Sequence, residues 1–127
     1  MTIHRTAILG NNVKIGKNVT IGPYSIIGDN VEIGDNTAVY SHVIIGTPGE
    51  SIHDVSHENS GVTIGKNCVI REFTTINSNL GPVKTKIGDS CYLMTKSHVG
   101  HDAILEKNVV LCTGAKIGGH ATVGAFT

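Results

Sequence analysis

Residues 9–14 of the chain read Leu-Gly-Asn-Asn-Val-Lys, and this six-residue pattern recurs along nearly the whole sequence. An aliphatic residue begins each hexad, and the residue four positions later is usually small or β-branched. The 18 aliphatic positions, 11 of them followed directly by glycine, are Ile3, Leu9, Ile15, Ile21, Ile27, Ile33, Val39, Ile45, Ile64, Ile70, Ile76, Ile87, Leu93, Val99, Leu105, Leu111, Ile117 and Val123. A period of six fits no α-helix, because the apolar face of a helix returns every 3.6 residues. The pattern therefore predicts short strands joined by tight corners, in coils that stack about 4.8 Å apart.

Polar pairs such as Asn11-Asn12 and Asp29-Asn30 occupy the predicted corners. Asparagine and glycine tolerate the positive φ that a repeated sharp corner demands, so both residue types are expected there. The aliphatic residue and the residue four positions later should point into the coil. Cys68 and Cys91 both occupy the second of these positions. We therefore expect two small buried thiols that lie side by side without forming a disulfide.

Composition and charge argue against several functional classes. The 127 residues suffice for one domain, and ten basic and ten acidic side chains leave a formal net charge of zero. This balance argues against nucleic-acid binding and against anchoring to an anionic membrane. With 4% aromatic residues, 16 glycines and no long apolar stretch, we expect neither a helical bundle nor a membrane span. Three unevenly spaced cysteines and the lack of a signal-peptide pattern predict a reduced, cytoplasmic protein.

Two insertions interrupt the repeat, near residues 47–61 and 78–84. Each leaves from a corner, because Val62 and Thr85 resume the pattern two residues before the next aliphatic position. Loops that interrupt a regular scaffold often carry function, so both insertions are candidate parts of a site.

Counting hexads in threes places both loops on one side of the coil, together with the hexads that contain His101 and Gly119. Residues 18 apart stack on consecutive coils, so we expect His101 beneath Gly119 and Asp102 beneath His120. A histidine can take a proton from a hydroxyl at neutral pH, and a bare glycine leaves its backbone N–H open to a substrate oxygen. The stacking of these residues therefore predicts that His101 is a general base and that Gly119 supplies an oxyanion-binding amide. Asp102 would orient the base or bind substrate.

The repeat resembles that of the hexapeptide-repeat transferases, whose hexads read aliphatic residue, glycine, two free positions and then a small residue or valine. The resemblance covers nearly the whole chain. It implies an all-β fold, a left-handed parallel β-helix of triangular section with three hexads per coil. The 18 aliphatic positions would then make about six coils. Members of that family usually assemble as homotrimers, so we expect a homotrimer.

Three segments, 87–94, 97–102 and 117–120, resemble one branch of the family more specifically. That branch comprises the acyl-carrier-protein-dependent UDP-N-acetylglucosamine O-acyltransferases, which start lipid A synthesis. The resemblance implies transfer of a (3-hydroxy)acyl group from a thioester on acyl carrier protein to a hydroxyl of UDP-N-acetylglucosamine. It implies no covalent enzyme intermediate, no metal and no cofactor other than the acyl thioester, which acts as co-substrate.

The same resemblance implies roles for particular residues. His101 matches the general base and Gly119 the oxyanion amide of that branch. The remaining matches are to residues that bind or adjoin the substrate, with Met94 near the acyl site: His98, Asp102, His120 and Met94.

Two loop sequences depart from that branch. In that branch the second loop usually begins Arg-Gly-Thr, whereas this chain has Ser78-Asn79-Leu80-Gly81 there. The first loop of this chain also lacks the Asp-x-Lys element with which that branch holds the nucleotide sugar. These differences leave open the sugar, the acyl chain, O- or N-acylation, and delivery by acyl carrier protein or by coenzyme A. The branch also continues into further coils and a helical C-terminal domain, which residues 1–127 lack. We therefore expect one β-helix domain that is a fragment of a longer enzyme and can be inactive by itself.

Three alternatives stay open at this point. One is a sugar N- or O-acetyltransferase of the same fold that uses acetyl-CoA and keeps the same base and amide. Another is a metal enzyme similar to the γ-class carbonic anhydrases, with His98, His101 and His120 as candidate zinc ligands. The third is a β-helix without catalytic activity, whose polar column is only solvated.

Overall fold

The computed structural model describes the whole chain, residues 1–127, as 18 short strands in three parallel sheets of six strands each. Sheet A contains β1 (Thr2–Ile3), β4 (Thr20–Ile21), β7 (Ala38–Val39), β10 (Val69–Ile70), β13 (Tyr92–Leu93) and β16 (Val110–Leu111). Sheet B contains β2 (Ile8–Leu9), β5 (Ile26–Ile27), β8 (Ile44–Thr47), β11 (Thr75–Asn77), β14 (His98–Val99) and β17 (Lys116–Ile117). Sheet C contains β3 (Lys14–Ile15), β6 (Glu32–Ile33), β9 (Val62–Ile64), β12 (Thr85–Ile87), β15 (Ile104–Leu105) and β18 (Thr122–Val123).

Each turn of the chain contributes one strand to each sheet, and equivalent strands of consecutive turns pair in parallel. Outside the insertions the register is 18 residues, as in the pairing of Ile27 with Ile45. The predicted left-handed parallel β-helix of six coils is confirmed. No helix in the structure is long and apolar enough to cross a membrane.

The core is a narrow apolar column inside the three sheets. The second residue of a typical strand points inward, so that Ile27 is fully buried, whereas its neighbour Ile26 points outward and is 39% exposed. The residue four positions after each aliphatic one fills the space at the corner, and Val31 is an example with no exposure. Cys68 and Cys91 occupy two such positions, are buried and carry free thiols, which confirms the prediction of unpaired inward cysteines.

The corners explain why asparagine and glycine recur in the sequence, but for two different reasons. Positive φ falls on residues such as Asn12 and Asn30, at 56° and 60°. Among the glycines, only Gly46 and Gly114 have positive φ, so the expectation that glycine serves the corner by this conformation is wrong for the others. A glycine after the aliphatic residue is needed for space instead. A β-carbon on Gly34, for example, would lie 2.7 Å from the carbonyl oxygen of Gly65 on the next coil.

Both insertions leave the coil between sheet B and sheet C. The first loop lies between β8 and β9 and the second between β11 and β12. Strands β8 and β11 extend one or two residues beyond the usual two, and their pairing shifts register between Ile76 and Asn77. Because these two strands run past the corner between sheets B and C, both loops leave the β-helix at that same corner.

Candidate active site

The corner between sheets B and C carries the candidate site, and we call it the loop corner. It comprises the two loops, residues 48–61 and 78–84, and the turns 100–103 and 118–121 on the next two coils. His101 and Asp102 follow strand β14, and Gly119 and His120 follow β17 directly above it. The N–H of His120 donates to the carbonyl of His101 at 2.9 Å, so the 18-residue spacing places the two turns in register.

His101 and Asp102 form a hydrogen-bonded pair, although neighbouring residues in a chain need not touch. Nδ1 of His101 lies 2.8 Å from Oδ2 of Asp102. Because an ionised carboxylate only accepts, Nδ1 must carry the proton, and Nε2 of the neutral ring is then the free acceptor. Nε2 faces Gly119, where an added β-carbon would lie only 2.7 Å from it. The unprotonated nitrogen and the bare glycine thus meet at one point.

The second loop holds the other contacts of the Asp102 carboxylate. The N–H of Leu80 donates to Oδ2 at 3.1 Å and the N–H of Gly81 donates to Oδ1 at 2.9 Å. Burial alone would raise the pKa of the Asp102 carboxyl. The hydrogen bonds from His101 and from the two loop amides outweigh this effect, so the pKa lies below its ordinary value. Asp102 is therefore ionised at neutral pH and keeps His101 in one tautomer and orientation.

The first loop packs against the same histidine. A β-carbon on Gly49 would lie 2.6 Å from Cβ of His101 and 2.9 Å from Cγ of Leu80. The two loops therefore enclose the His101 side chain, which is only 16% exposed. A ring enclosed on this side and bonded at Nδ1 has little freedom to turn away from Gly119.

The backbone N–H of Gly119 makes no hydrogen bond within the protein, as is common at this turn position, for example at Thr95 and His101. Gly100, one coil below, keeps this amide uncovered, because a β-carbon there would lie 2.7 Å from the Gly119 nitrogen. Two glycines thus expose a donor beside a base, which is the arrangement that stabilises an oxyanion next to a proton acceptor.

His120 completes the cluster from the solvent side. Its ring is edge-on to that of His101 with centroids 5.1 Å apart, and its Nε2 lies 3.7 Å from Oδ2 of Asp102. The three residues could offer ligand atoms to a metal ion within 4.8 Å of one another. His98 is not part of this group, so the three-histidine set of a γ-carbonic-anhydrase-like site is not assembled within the chain.

A groove of about 450 Å³ adjoins the cluster on the outer face of sheet B. His98 lies in it, with Nδ1 2.7 Å from Oγ1 of Thr75 and Nε2 3.9 Å from a carboxylate oxygen of Glu50. The groove thus has both acidic and basic walls. Its lining residues are Ile44, Thr47, Glu50, Thr75, Asn77, Lys96, His98 and Lys116.

The hexad repeat of the chain matches that of a known protein family. The profile of the bacterial transferase hexapeptide (six repeats) family matches residues 12–47 and 84–119, more than half of the chain. The chain belongs to the hexapeptide-repeat transferases.

Individual members of the hexapeptide-repeat transferases resemble the chain along most of its length. An acyl-(acyl-carrier-protein)-UDP-N-acetylglucosamine O-acyltransferase of Campylobacter concisus is 35% identical over 98% of this chain and 48% of that protein. The enzyme of the same name from Campylobacter lari is 42% identical over 84% of this chain and 41% of that protein. The solved structure of a UDP-N-acetylglucosamine acyltransferase from Campylobacter jejuni superimposes with a TM-score of 0.83 at 37% identity, covering 98% of this chain and 54% of that one. The chain spans about half the length of these relatives.

Met94 is the one candidate that the chain brings neither to the cluster nor to the adjoining groove. It lies at the corner between sheets A and B, where its N–H donates to Leu111 and its carbonyl accepts from Thr74. The cluster at the loop corner is on a different edge of the prism. Within one chain, then, only His101, Asp102, Gly119 and His120 converge, with His98 in the adjoining groove.

Reasoning from the sequence missed the importance of Asn77. Its side chain is 4% exposed, and its Nδ2 donates to Oγ1 of Thr47 at 3.3 Å. Its Oδ1 has no protein partner although it is buried beside the groove. The available signal was an asparagine in the position directly after an aliphatic residue, where glycine is common, at the start of a loop.

Proposed function

We propose that this protein is an acyltransferase. It moves a (3-hydroxy)acyl group from a thioester on acyl carrier protein to a hydroxyl of UDP-N-acetylglucosamine, the first step of lipid A synthesis. The observation that carries the proposal is the free Nε2 of His101 beside the unpaired amide of Gly119, with Asp102 behind the ring. The names of the Campylobacter relatives support the choice of substrates.

The chemistry follows from where the proton and the charge go. Nε2 of His101 takes the proton of the sugar hydroxyl as its oxygen forms a bond to the thioester carbonyl carbon. The ring becomes positively charged, and the ionised Asp102 at Nδ1 stabilises that charge. The carbonyl oxygen of the tetrahedral intermediate carries a negative charge, which the N–H of Gly119 stabilises. The carbon–sulfur bond then breaks, and the proton on Nε2 passes to the leaving thiolate.

The groove on sheet B supports binding of a nucleotide sugar beside this base. Lys96 and Lys116 line it and can offset the charge of phosphate groups, and His98 can donate to a sugar oxygen. The unpartnered Oδ1 of Asn77 is a buried acceptor that a sugar hydroxyl or amide N–H would satisfy. These contacts replace the Asp-x-Lys element that the first loop lacks.

We further propose a homotrimer in which a neighbouring copy completes the acyl site. The corner between sheets A and B carries an exposed stack, with His42 5.3 Å from both Tyr24 and Phe73. Exposed aromatic strips of this kind mark interaction surfaces. Packing that corner against the loop corner of the next copy would bring the neighbour's Met94 toward His101. Three free cysteines favour a cytoplasmic location for the assembly.

The test is an assay of thioester cleavage that depends on the sugar acceptor. The protein is incubated with UDP-N-acetylglucosamine and either acyl-acyl-carrier-protein, acyl-CoA or acetyl-CoA, and the released thiol is followed with a chromogenic reagent. We expect turnover with the acyl-carrier-protein donor that falls at least ~10²-fold in His101→Ala, because the base is lost. The control Lys17→Ala, at an exposed corner between sheets C and A that neither the cluster nor the proposed trimer contact uses, should retain turnover.

Each other outcome identifies an alternative. Turnover with acetyl-CoA alone would indicate a sugar acetyltransferase instead. Full turnover in His101→Ala would refute the mechanism, and absence of turnover with every donor in the full-length protein would favour a non-catalytic β-helix.

A further inference from the structure

The second loop reaches the Asp102 carboxylate through backbone amides only. The N–H groups of Leu80 and Gly81 each donate to one of its oxygens, at 3.1 and 2.9 Å. A backbone amide can hold a carboxylate in one orientation only if the peptide itself is held. What fixes residues 80 and 81 therefore also fixes the carboxylate that orients His101.

Asn79 provides that fixation with both ends of its side-chain amide. Its Nδ2 donates to the carbonyl of Gly81 at 2.6 Å, and its Oδ1 accepts from the N–H of Gly61 at 2.8 Å. Asn79 is 1% exposed, its bond from Gly61 is buried, and its bond to the Gly81 carbonyl is partly buried. Asn79 thus ties the end of the first loop to the peptide of the second loop that holds Asp102.

His57 of the first loop makes a second, more exposed bond to the same carbonyl. Its Nε2 lies 3.0 Å from the carbonyl oxygen of Gly81, and its Nδ1 accepts from the N–H of Asn59. The Gly81 carbonyl is thus bonded from two sides, but only Asn79 is buried. A hydrogen bond that cannot be replaced by water costs more when it is lost, so Asn79 should dominate.

We infer that Asn79 is a positioning residue for the reaction: it acts through Gly81 and Asp102 on the orientation of the His101 ring. This inference rests on the proposed role of His101 as the general base. Asn79 lies in the run Ser78-Asn79-Leu80-Gly81, where the second loop departs from the Arg-Gly-Thr sequence of the related branch. Without the bond from Asn79, the Gly81 peptide can turn, Oδ1 of Asp102 loses its donor, and the carboxylate can rotate away from Nδ1.

The first experiment compares Asn79→Ala with Asn59→Ala in the protein. Asn59 is a matched control because it is an exposed first-loop asparagine whose side chain makes no hydrogen bond. For Asn79→Ala we expect kcat to fall at least about tenfold with KM for the sugar changed by less than about twofold, because the loss is in alignment of the base. Asn59→Ala should change neither. An unchanged kcat in Asn79→Ala, or a loss confined to KM, overturns the inference.

The second experiment is a double-mutant cycle, whose expected result differs between a positioning role and a merely structural role of Asn79. If Asn79 acts through the carboxylate, Asn79→Ala should have almost no further effect on kcat in an Asp102→Ala background. Independent, multiplicative effects would show that Asn79 acts by another route. Asn79→Asp extends the cycle if Asn79→Ala fails to fold, since it keeps an acceptor for Gly61 while it replaces the donor to Gly81 by a carboxylate oxygen that repels that carbonyl.

A readout without turnover separates this inference from the proposed function. In ¹⁵N-labelled protein, the proton on Nδ1 of His101, hydrogen-bonded to Asp102, should give a slowly exchanging downfield signal. We expect Asn79→Asp and Asn79→Ala to weaken or shift it and Asn59→Ala to leave it in place. An unaltered signal in all three would overturn the positioning role even if His101 proves to be the base. If the signal changes but His101→Ala keeps full activity, the effect of Asn79 on the Asp102–His101 hydrogen bond stands and only the proposed chemistry is refuted.

Discussion

The contact between Gly119 and His101 is the tightest constraint on the proposed mechanism, and replacing Gly119 by alanine tests it directly. The β-carbon that Gly119→Ala adds would lie 2.7 Å from Nε2, 2.8 Å from Cε1 and 3.1 Å from Cδ2 of the His101 ring. Nonbonded atoms of this kind pack at about 3.5 Å or more, so either the ring or the 118–121 turn must move by close to 1 Å. The ring cannot yield freely, because Asp102 holds Nδ1 and Gly49 packs against Cβ.

The size of the effect follows from this displacement. A misplacement of about 1 Å between reacting groups costs on the order of 10²-fold in rate, which corresponds to about 2.7 kcal/mol of lost transition-state stabilisation. The added methyl group also covers the approach to the Gly119 amide. We therefore expect Gly119→Ala to lower kcat/KM at least ~10²-fold while the β-helix remains folded, since the φ of Gly119 is not positive and alanine can adopt the backbone.

Gly118 offers a matched control on the same turn. Within residues 1–127 a β-carbon there has no heavy atom within 4 Å, and Gly118 also lacks a positive φ, so both variants are made in this 127-residue chain. Both variants are assayed for acceptor-dependent thiol release and checked by thermal unfolding. Gly118→Ala should retain activity. Full activity in Gly119→Ala, or equal losses in both variants at unchanged stability, would refute the assignment of base and oxyanion amide to this corner.

Two further predictions concern stability. The pKa of Asp102 is lowered in the folded state, so its ionised form stabilises the fold above the unfolded pKa of about 3.9, and this contribution is lost as pH falls through the lower folded value. Thermal unfolding from pH 6 to pH 2 should therefore show an acid loss that is smaller in Asp102→Asn, and equal slopes for both proteins would contradict the lowered pKa. Ile27→Asp should unfold the protein because it buries a charge without a partner, whereas Ile26→Asp, whose side chain is 39% exposed, should fold, as circular dichroism can verify. Similar stability of these two variants would contradict the assigned strand faces.

Much of the fold could be predicted because the constraint is local and repeated. Every coil must bury an aliphatic residue and turn within a few residues, so Ile27, Val31 and their counterparts carry the same signal 18 times. The column of His101, Asp102, Gly119 and His120 could also be predicted, since parallel stacking converts an 18-residue spacing into direct contact. The same periodicity located both insertions at one corner.

The remaining features depend on contacts that no period encodes. The direction of the Asp102 side chain toward His101 is set by the amides of residues 80 and 81, in a loop whose path is not repetitive. Asn77 and Asn79 look alike in the sequence, yet one leaves a carbonyl oxygen unpartnered and the other satisfies both ends of its amide.

By itself the sequence determined the β-helix, its six coils and the vertical alignment of one polar edge, because stacking repeats a single local rule. Only the tertiary structure decided which nitrogen of His101 is free, how the two loops hold Asp102, and that Gly119 is needed for space beside the ring. Those outcomes arise where segments far apart in the chain meet, and the geometry there depends on side-chain directions and loop paths that vary independently of the repeat.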